Sequence, residues 1–187
     1  MSKSAPDQLV IRQARADDLD VLVRFSAAMA LETEGRSLDP ERLRLGTQAV
    51  FDSPDRGFYL VAEVPGRIVG QLMITYEWSD WRHGVFWWIQ SVYVDPSWRR
   101  RGVYRRMHQY VIEEARARTE VCGVRLYVEG ENHVAKAVYA QVGLVPTTYE
   151  VFEDDFLLKR NSDRHAHARS RKPTATGRSL GKGKKTI

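Results

Sequence analysis

PSWRRRGVYRRM, residues 96–107, sets Arg99, Arg100, Arg101, Arg105 and Arg106 around one glycine, Gly102. Like charges this close repel one another unless solvent or an anion satisfies them. The stretch follows an apolar run, FWWIQSVYV (86–94), and leads into a periodic one in which Val103, Met107, Val111 and Ala115 recur at steps of four. It reads as a strand, a basic loop and the start of a helix over 102–118. The first N–H groups of a helix have no partner inside it, and its dipole is positive at that end, so both attract phosphate. Gly102 lets a ligand come close to the backbone, and arginines add charge and forked donors. The stretch is a candidate diphosphate cradle.

Working outward from it, the sequence alternates helical and strand periods. QLVIRQA (8–14) alternates as an edge strand. Residues 16–34 place Leu19, Leu22, Phe25 and Met29 on one helical face, behind Asp17 and Asp18, and Gly35 stops that helix. A second helix starts after Asp39, with Pro40 at its first position. FYLVAEV (58–64) and RIVGQLMITYEW (67–78) pair across Pro65-Gly66, and the polar loop SDWRHG (79–84) leads back to the apolar run. Beyond the basic loop and its helix, Gly123 precedes a strand, VRLYVEG (124–130). NHVAKAVYAQVG (132–143) aligns Ala135, Val138, Tyr139 and Val142 on one stripe, with Gly143 as its stop. The strand-like VPTTYEVF (145–152) and a short DFLLK (155–159) close the body. The order is α+β with one βαβ crossover.

Composition bounds the rest. A chain of 187 residues, 43% hydrophobic and 28% charged, has the size and balance of one globular domain. No apolar run approaches the roughly 18 residues of a membrane span. The first residues, MSKSAPDQ, lack the apolar centre of a signal peptide, and Cys122 is the lone cysteine, so the expectation is a cytoplasmic protein without disulfides. No metal is expected, since His83, His108, His133, His165 and His167 show no ligand spacing. From Arg160 onward nine Lys and Arg face a single acid, Asp163; that end carries +8 and the remainder −3. The expected division is therefore a domain over 1–160 and a basic, disordered tail over 161–187. Any nucleic-acid contact would run through that tail alone.

Two motifs then fall at a telling separation. The loop Arg99-Arg100-Arg101-Gly102-Val103-Tyr104 fits (Gln/Arg)-x-x-Gly-x-(Gly/Ala) except at its last position, and Asn132, Ala135, Tyr139 and Gly143 fit N-x-x-A-x-x-x-Y-x-x-x-G. With that order of elements, residues 8–158 resemble the GNAT superfamily of N-acetyltransferases. The resemblance implies a mixed, mostly antiparallel sheet with a parallel βαβ splay and helices on both faces. It implies acetyl-coenzyme A as co-substrate, its diphosphate on Arg99, Arg100, Arg101, Gly102, Val103 and Tyr104, and its pantetheine arm along Val92, Tyr93 and Val94. Tyr104 departs from the pattern, and its side chain must lie along the ligand or in the core. Asn132 resembles a cofactor-contacting asparagine and suits a helix N-cap equally well.

The resemblance also implies a mechanism, in which Tyr139 protonates the departing thiolate. Without the family, Tyr139 reads as a core aromatic. Where many relatives carry a glutamate base this chain has Gln90, so a water chain to Glu77 or Glu129 is the alternative. Glu32, Glu77, Trp78 and Trp81 combine carboxylates with aromatic faces, as a cationic amine requires. Of Trp87 and Trp88, one is core, because neighbours on a strand point to opposite faces. The expected activity is acetyl transfer to a primary amine, with a small molecule favoured. The rivals are a protein N-terminus or lysine as acceptor, and a non-catalytic module that binds RNA through the tail. A homodimer is left open.

Overall fold

The computed structural model describes residues 8–157. Those up to Val145 form one compact unit; Pro146 begins a second, described separately below. The first unit holds strand β1 (Val10–Gln13), helices α1 (Leu19–Glu34) and α2 (Pro40–Asp52), and strands β2 (Phe58–Val64), β3 (Arg67–Ser79) and β4 (Gly84–Val94). Helix α3 (Val103–Arg116), strand β5 (Val121–Arg125) and helix α4 (His133–Gln141) follow. The sheet order is β1-β2-β3-β4-β5, antiparallel throughout except for the parallel pair β4 and β5 that α3 connects.

The period of two along β2 explains why helices cover both faces. Tyr59 and Val61 pack with Leu22 of α1 and Val50 and Phe51 of α2. Leu60, Ala62 and Val64 point the other way, to Val103, Met107, Val111 and Ala115 of α3. The step-of-four stripe in the sequence is thus the buried face of α3. Met107 is fully buried, and truncating such a side chain to alanine costs about 2–5 kcal/mol. Trp87 belongs to this core, while Trp88 on the opposite face is only half-buried.

Caps follow the chemistry of the sequence. Asp39 accepts from the Arg42 N–H at 2.7 Å with Pro40 as the first residue of α2, and Asn132 accepts from the Ala135 N–H at 3.0 Å to cap α4. The first helix is broken at its start. A 3₁₀ turn (Ala16–Asp18) precedes α1, because the Asp18 carboxylate takes the Arg15 N–H at 2.7 Å and the Arg12 guanidinium at 2.7 Å.

Two strand expectations need correction. The strand expected over 124–130 runs instead over Val121–Arg125, so Gly123 lies inside it. The Phe86 ring occupies the place beside Gly123, where a Cβ would sit 2.6 Å from Cε1. The strand stops early because β4 pairs with it only as far as Trp88, opposite Arg125. The strand expected over 145–152 is absent: residues 146–157 carry no helix or strand. There Thr147 Oγ1 accepts from the Tyr149 N–H and Asp155 from the Leu157 N–H, local bonds that compete with a ladder. The basic tail, 161–187, lies outside the described residues.

Candidate active site

The central feature is a strand that parts from its neighbour. β4 and β5 are paired from Val85–Val121 to Trp88–Arg125, and β4 then continues alone on that side through Val94. Just past the last pair, Ser91 has a φ of 50°, in the left-handed region that residues with a Cβ avoid. The register with β3 slips here, since Gln71 faces Tyr93 whereas Met73 faces Gln90. This is a β-bulge, which turns the strand and re-aims its backbone. The backbone of Ile89–Val94 is left with a side from which β5 has withdrawn. An extended ligand with amide groups can pair with such a side.

Immediately after β4 comes the basic loop. Asp95 anchors it, accepting from the Ser97 N–H at 2.9 Å and from Arg67 at 2.6 Å. Arg100 and Gly102 take φ values of 61° and 76°, which swing the chain into α3. The first ladder bond of α3 runs from the Arg106 N–H to the Gly102 carbonyl at 3.1 Å, so the N–H groups of Val103, Tyr104 and Arg105 precede the ladder. A Cβ added at Gly102 would meet nothing within 4 Å, and Gly102 itself is exposed, so the space beside it is open.

The arginines divide the work. Arg99 binds the Val94 carbonyl at 2.9 Å and Glu32 at 2.6 Å and lies over the Tyr93 ring at 5.3 Å. Arg101 lies over Trp98 at 5.0 Å, and Arg106 reaches the Leu9 carbonyl at 2.7 Å. Arg99 and Arg106 tie this segment to the body, while Arg101 stacks on Trp98 of the same loop and, like Arg100 and Arg105, is exposed beside the helix end. Glu32 also accepts from the Tyr93 hydroxyl at 2.8 Å, and the hydrogen bond from Arg99 holds its carboxyl below the usual range.

Tyr104 turns away from the helix end into the protein. Its ring meets Tyr139 of α4 edge-on at 5.5 Å and lies 6.0 Å from His108. The structure therefore brings the two motifs into contact through these tyrosines. Burial raises the pKa of both phenols, most strongly that of Tyr104, to which Tyr139 adds. Both stay protonated at neutral pH. Burial lowers the pKa of His108, and neither its Nε2 nor the Tyr104 hydroxyl has a hydrogen-bond partner among the described residues. Val103 is core, and Asn132 is occupied as the cap of α4.

On the other face of the sheet, Gln90 donates to Thr75 at 2.5 Å. Glu77 is held by Arg125 at 2.6 Å and by the Trp88 indole N–H, and the Trp88 ring lies 5.9 Å from Tyr127. Glu77, Trp88 and Arg125 thus meet at the last rung before the strands part. The grouping of Glu32, Glu77, Trp78 and Trp81 into one site is not what the fold produces. Trp78, 60% exposed, packs edge-on against His83, and Trp81, 86% exposed, lies in the tight turn before β4. Glu32 sits past the other end of that eleven-residue strand, roughly 30 Å away at the rise of an extended chain. The bulge at Ser91, the Arg125 partner of Glu77 and the Tyr104–Tyr139 contact have no signal in the sequence, since each depends on which strands and helices become neighbours.

A parting parallel pair, a bulged strand and a glycine-opened helix end together define a recognisable architecture. Residues 25–144 match the Acetyltransferase (GNAT) family. The chain belongs to the GNAT acetyltransferases. Among solved structures, a possible acetyltransferase from Clostridium difficile 630 is 41% identical, with a TM-score of 0.75 over 81% of this chain and 99% of its own. A protein from Clostridium acetobutylicum described as a predicted acetyltransferase, solved with acetyl-CoA, is 18% identical and shares the fold, with a TM-score of 0.65 over 78% of this chain and 96% of its own. Comparison with curated proteins returns no match.

As a GNAT acetyltransferase the chain uses acetyl-CoA. Its own geometry fits that co-substrate, offering an exposed glycine at the start of α3 for phosphate and a strand backbone that β5 has left for the amide-bearing arm. Among the described residues no helix is long and apolar enough to cross a membrane, and no three His, Cys, Asp or Glu gather as metal ligands.

Proposed function

We propose that this GNAT acetyltransferase moves the acetyl group of acetyl-CoA to the primary amine of a small molecule. The observation that carries the reading is the parting of β4 from β5 at Trp88–Arg125, after which the freed stretch of β4 leads through the basic loop to the N-terminus of α3. In this reading the N–H groups of Val103 and Tyr104, with Arg100, Arg101 and Gly102, hold the diphosphate. The backbone of Val92, Tyr93 and Val94 pairs with the pantetheine arm. Arg99 serves indirectly, keeping the Val94 carbonyl and Tyr93 in place through Glu32. Asn132 orients α4, and with it Tyr139.

The chemistry follows from the protonation states. A neutral amine attacks the thioester carbonyl; a C–N bond forms and the C–S bond breaks. Tyr139, kept protonated by burial, gives its proton to the departing sulfur. The proton lost by the amine goes to water, from which the Tyr139 phenolate regains its own, because Gln90 cannot accept it and Glu77 is committed to Arg125 and Trp88. The half-buried Trp88 ring, fixed by its own bond to Glu77, instead offers an arriving ammonium group an aromatic face. Trp78 and Trp81 have no part in this arrangement. Thiol release from acetyl-CoA across a panel of primary amines, polyamines and lysine peptides tests the reading. Turnover is expected with small amines and to rise with pH as the free amine appears. Turnover with peptides alone would overturn the small-molecule acceptor, and turnover with none would overturn the transfer itself.

A further inference from the structure

Gln71 of β3 is fully buried, and its amide faces the bulge of β4. Its Nε2 donates to the Ser91 carbonyl at 3.3 Å and to Ser26 Oγ of α1 at 3.0 Å. A carbonyl only accepts, so the NH₂ end must face Ser91 and the amide cannot be reversed. Its Oε1 is thereby left buried, with no hydrogen-bond partner among the described residues. Packing alone does not account for such a side chain. Leucine or methionine would fill similar volume without stranding a polar atom.

What the amide does is take the Ser91 carbonyl. In the bulge Ser91 and Val92 stand against Leu72 alone, so the regular ladder is interrupted there. Ser91 holds a φ of 50° although it is not glycine, a conformation that persists only where its surroundings over-determine it. Gln71 supplies the determinant: its amide nitrogen gives one N–H to the displaced carbonyl and the other to Ser26 Oγ on α1. The same bulge lies three residues beyond the Trp88–Arg125 pair at which β4 and β5 part.

We infer that Gln71 is a positioning residue for acetyl-CoA, holding the Ser91 bulge so that the Ile89–Val94 backbone keeps the direction in which the pantetheine arm can pair with it. The inference rests on the proposed placement of that arm along β4. Gln71 touches no reacting atom; it acts through the backbone of Ser91.

The test is acetyl-CoA affinity by titration calorimetry on the full chain, alongside thermal melts. Gln71→Met keeps the volume and removes the donor, and it is expected to raise Kd about tenfold, the scale of one lost hydrogen bond. Ser91→Gly in the same chain lets the backbone hold a φ of 50° unaided, and it is expected to return Kd to within about threefold of wild type. A purely structural amide would lower the melting temperature and leave Kd where it was, and that result overturns the inference. So does a raised Kd that Ser91→Gly fails to correct. Should Gln71→Met not fold, Ser26→Ala, which loosens the amide, is expected to raise Kd about threefold, and an unchanged value is refuting. Wild-type binding of acetyl-CoA separates the two levels. If wild type binds but all variants bind equally well, only the role of Gln71 falls; if wild type does not bind, the placement of the arm falls with it.

Discussion

Replacing Gly102 by glutamate separates a ligand site from a structural turn. Gly102 sits at φ 76°, and an added Cβ meets no atom within 4 Å, so a side chain there brings no clash. Its intrinsic cost is the left-handed conformation, about 1 kcal/mol for a residue with a Cβ. For a domain of this size that lowers the melting temperature by about 2–4 °C, and Gly102→Ala should pay the same. The ligand effect is larger. At a hundredfold excess over Kd, acetyl-CoA stabilises a protein that binds it only when folded by about 2.7 kcal/mol. Wild type should therefore melt about 5–10 °C higher with acetyl-CoA than without. In Gly102→Glu a carboxylate stands before the N–H groups of Val103 and Tyr104, where phosphate would lie, and the shift should vanish. Gly102→Ala should keep most of it. Differential scanning fluorimetry with and without acetyl-CoA reads all three proteins. An undiminished shift in Gly102→Glu would refute the reasoning, because no diphosphate could share that helix end with a fixed negative charge.

Three further outcomes follow from other parts of the structure. Tyr139→Phe should lower kcat on the order of 10²-fold, as loss of a general acid does; the acetyl-CoA Kd should hardly move, because the ring that meets Tyr104 is kept. An unchanged kcat would leave the phenol as packing only. Asp18→Asn should destabilise the fold by about 2 kcal/mol at pH 7, the worth of hydrogen bonds to a charged group, since Asp18 accepts from Arg12 and from the Arg15 N–H. Burial pushes the Asp18 pKa up, but those bonds outweigh it and set it below its ordinary value of 3.8. The stabilisation is thus present above that pH and lost as pH falls through the depressed folded value, so denaturant midpoints of wild type and variant should converge in acid. Met107→Ala, at a fully buried position on the sheet-facing stripe of α3, should cost about 2–5 kcal/mol in urea unfolding while leaving acetyl-CoA saturation unchanged at low temperature.

Much of the frame was legible in the residues alone. The stripe Val103, Met107, Val111, Ala115 reads as a buried helix face because 3.6-residue periodicity is local. Asp39-Pro40 and Asn132 read as helix starts because capping needs only the neighbouring N–H groups. The loop Arg99–Tyr104 and the Tyr139 helix carried a resemblance to the GNAT superfamily, and that resemblance implied the fold and acetyl-CoA. The strands were less secure. VRLYVEG and VPTTYEVF have strand-like composition, but a strand exists only where a partner continues beside it. β4 abandons the first after Arg125, and local side-chain bonds interrupt the second.

The site itself was decided in three dimensions. The motif counts Arg99, Arg100 and Arg101 together, and only the fold commits Arg99 to Glu32 and Arg106 to the Leu9 carbonyl while leaving Arg100, Arg101 and Arg105 exposed at the helix end. Glu32, Trp78 and Trp81 share a chemistry suited to an amine, yet an eleven-residue strand separates the glutamate from the tryptophans. Nothing in the string QSVYV marks Ser91 as a bulge, and nothing in GQLMI marks Gln71 as its support. Their relation depends on the register between β3 and β4 and on Ser26 arriving from α1. Periodicity, caps and motif spacing are short-range and survive in a one-dimensional string. Registers, charge pairings and the point at which two strands part are set by distant neighbours, and exist only once the chain has packed.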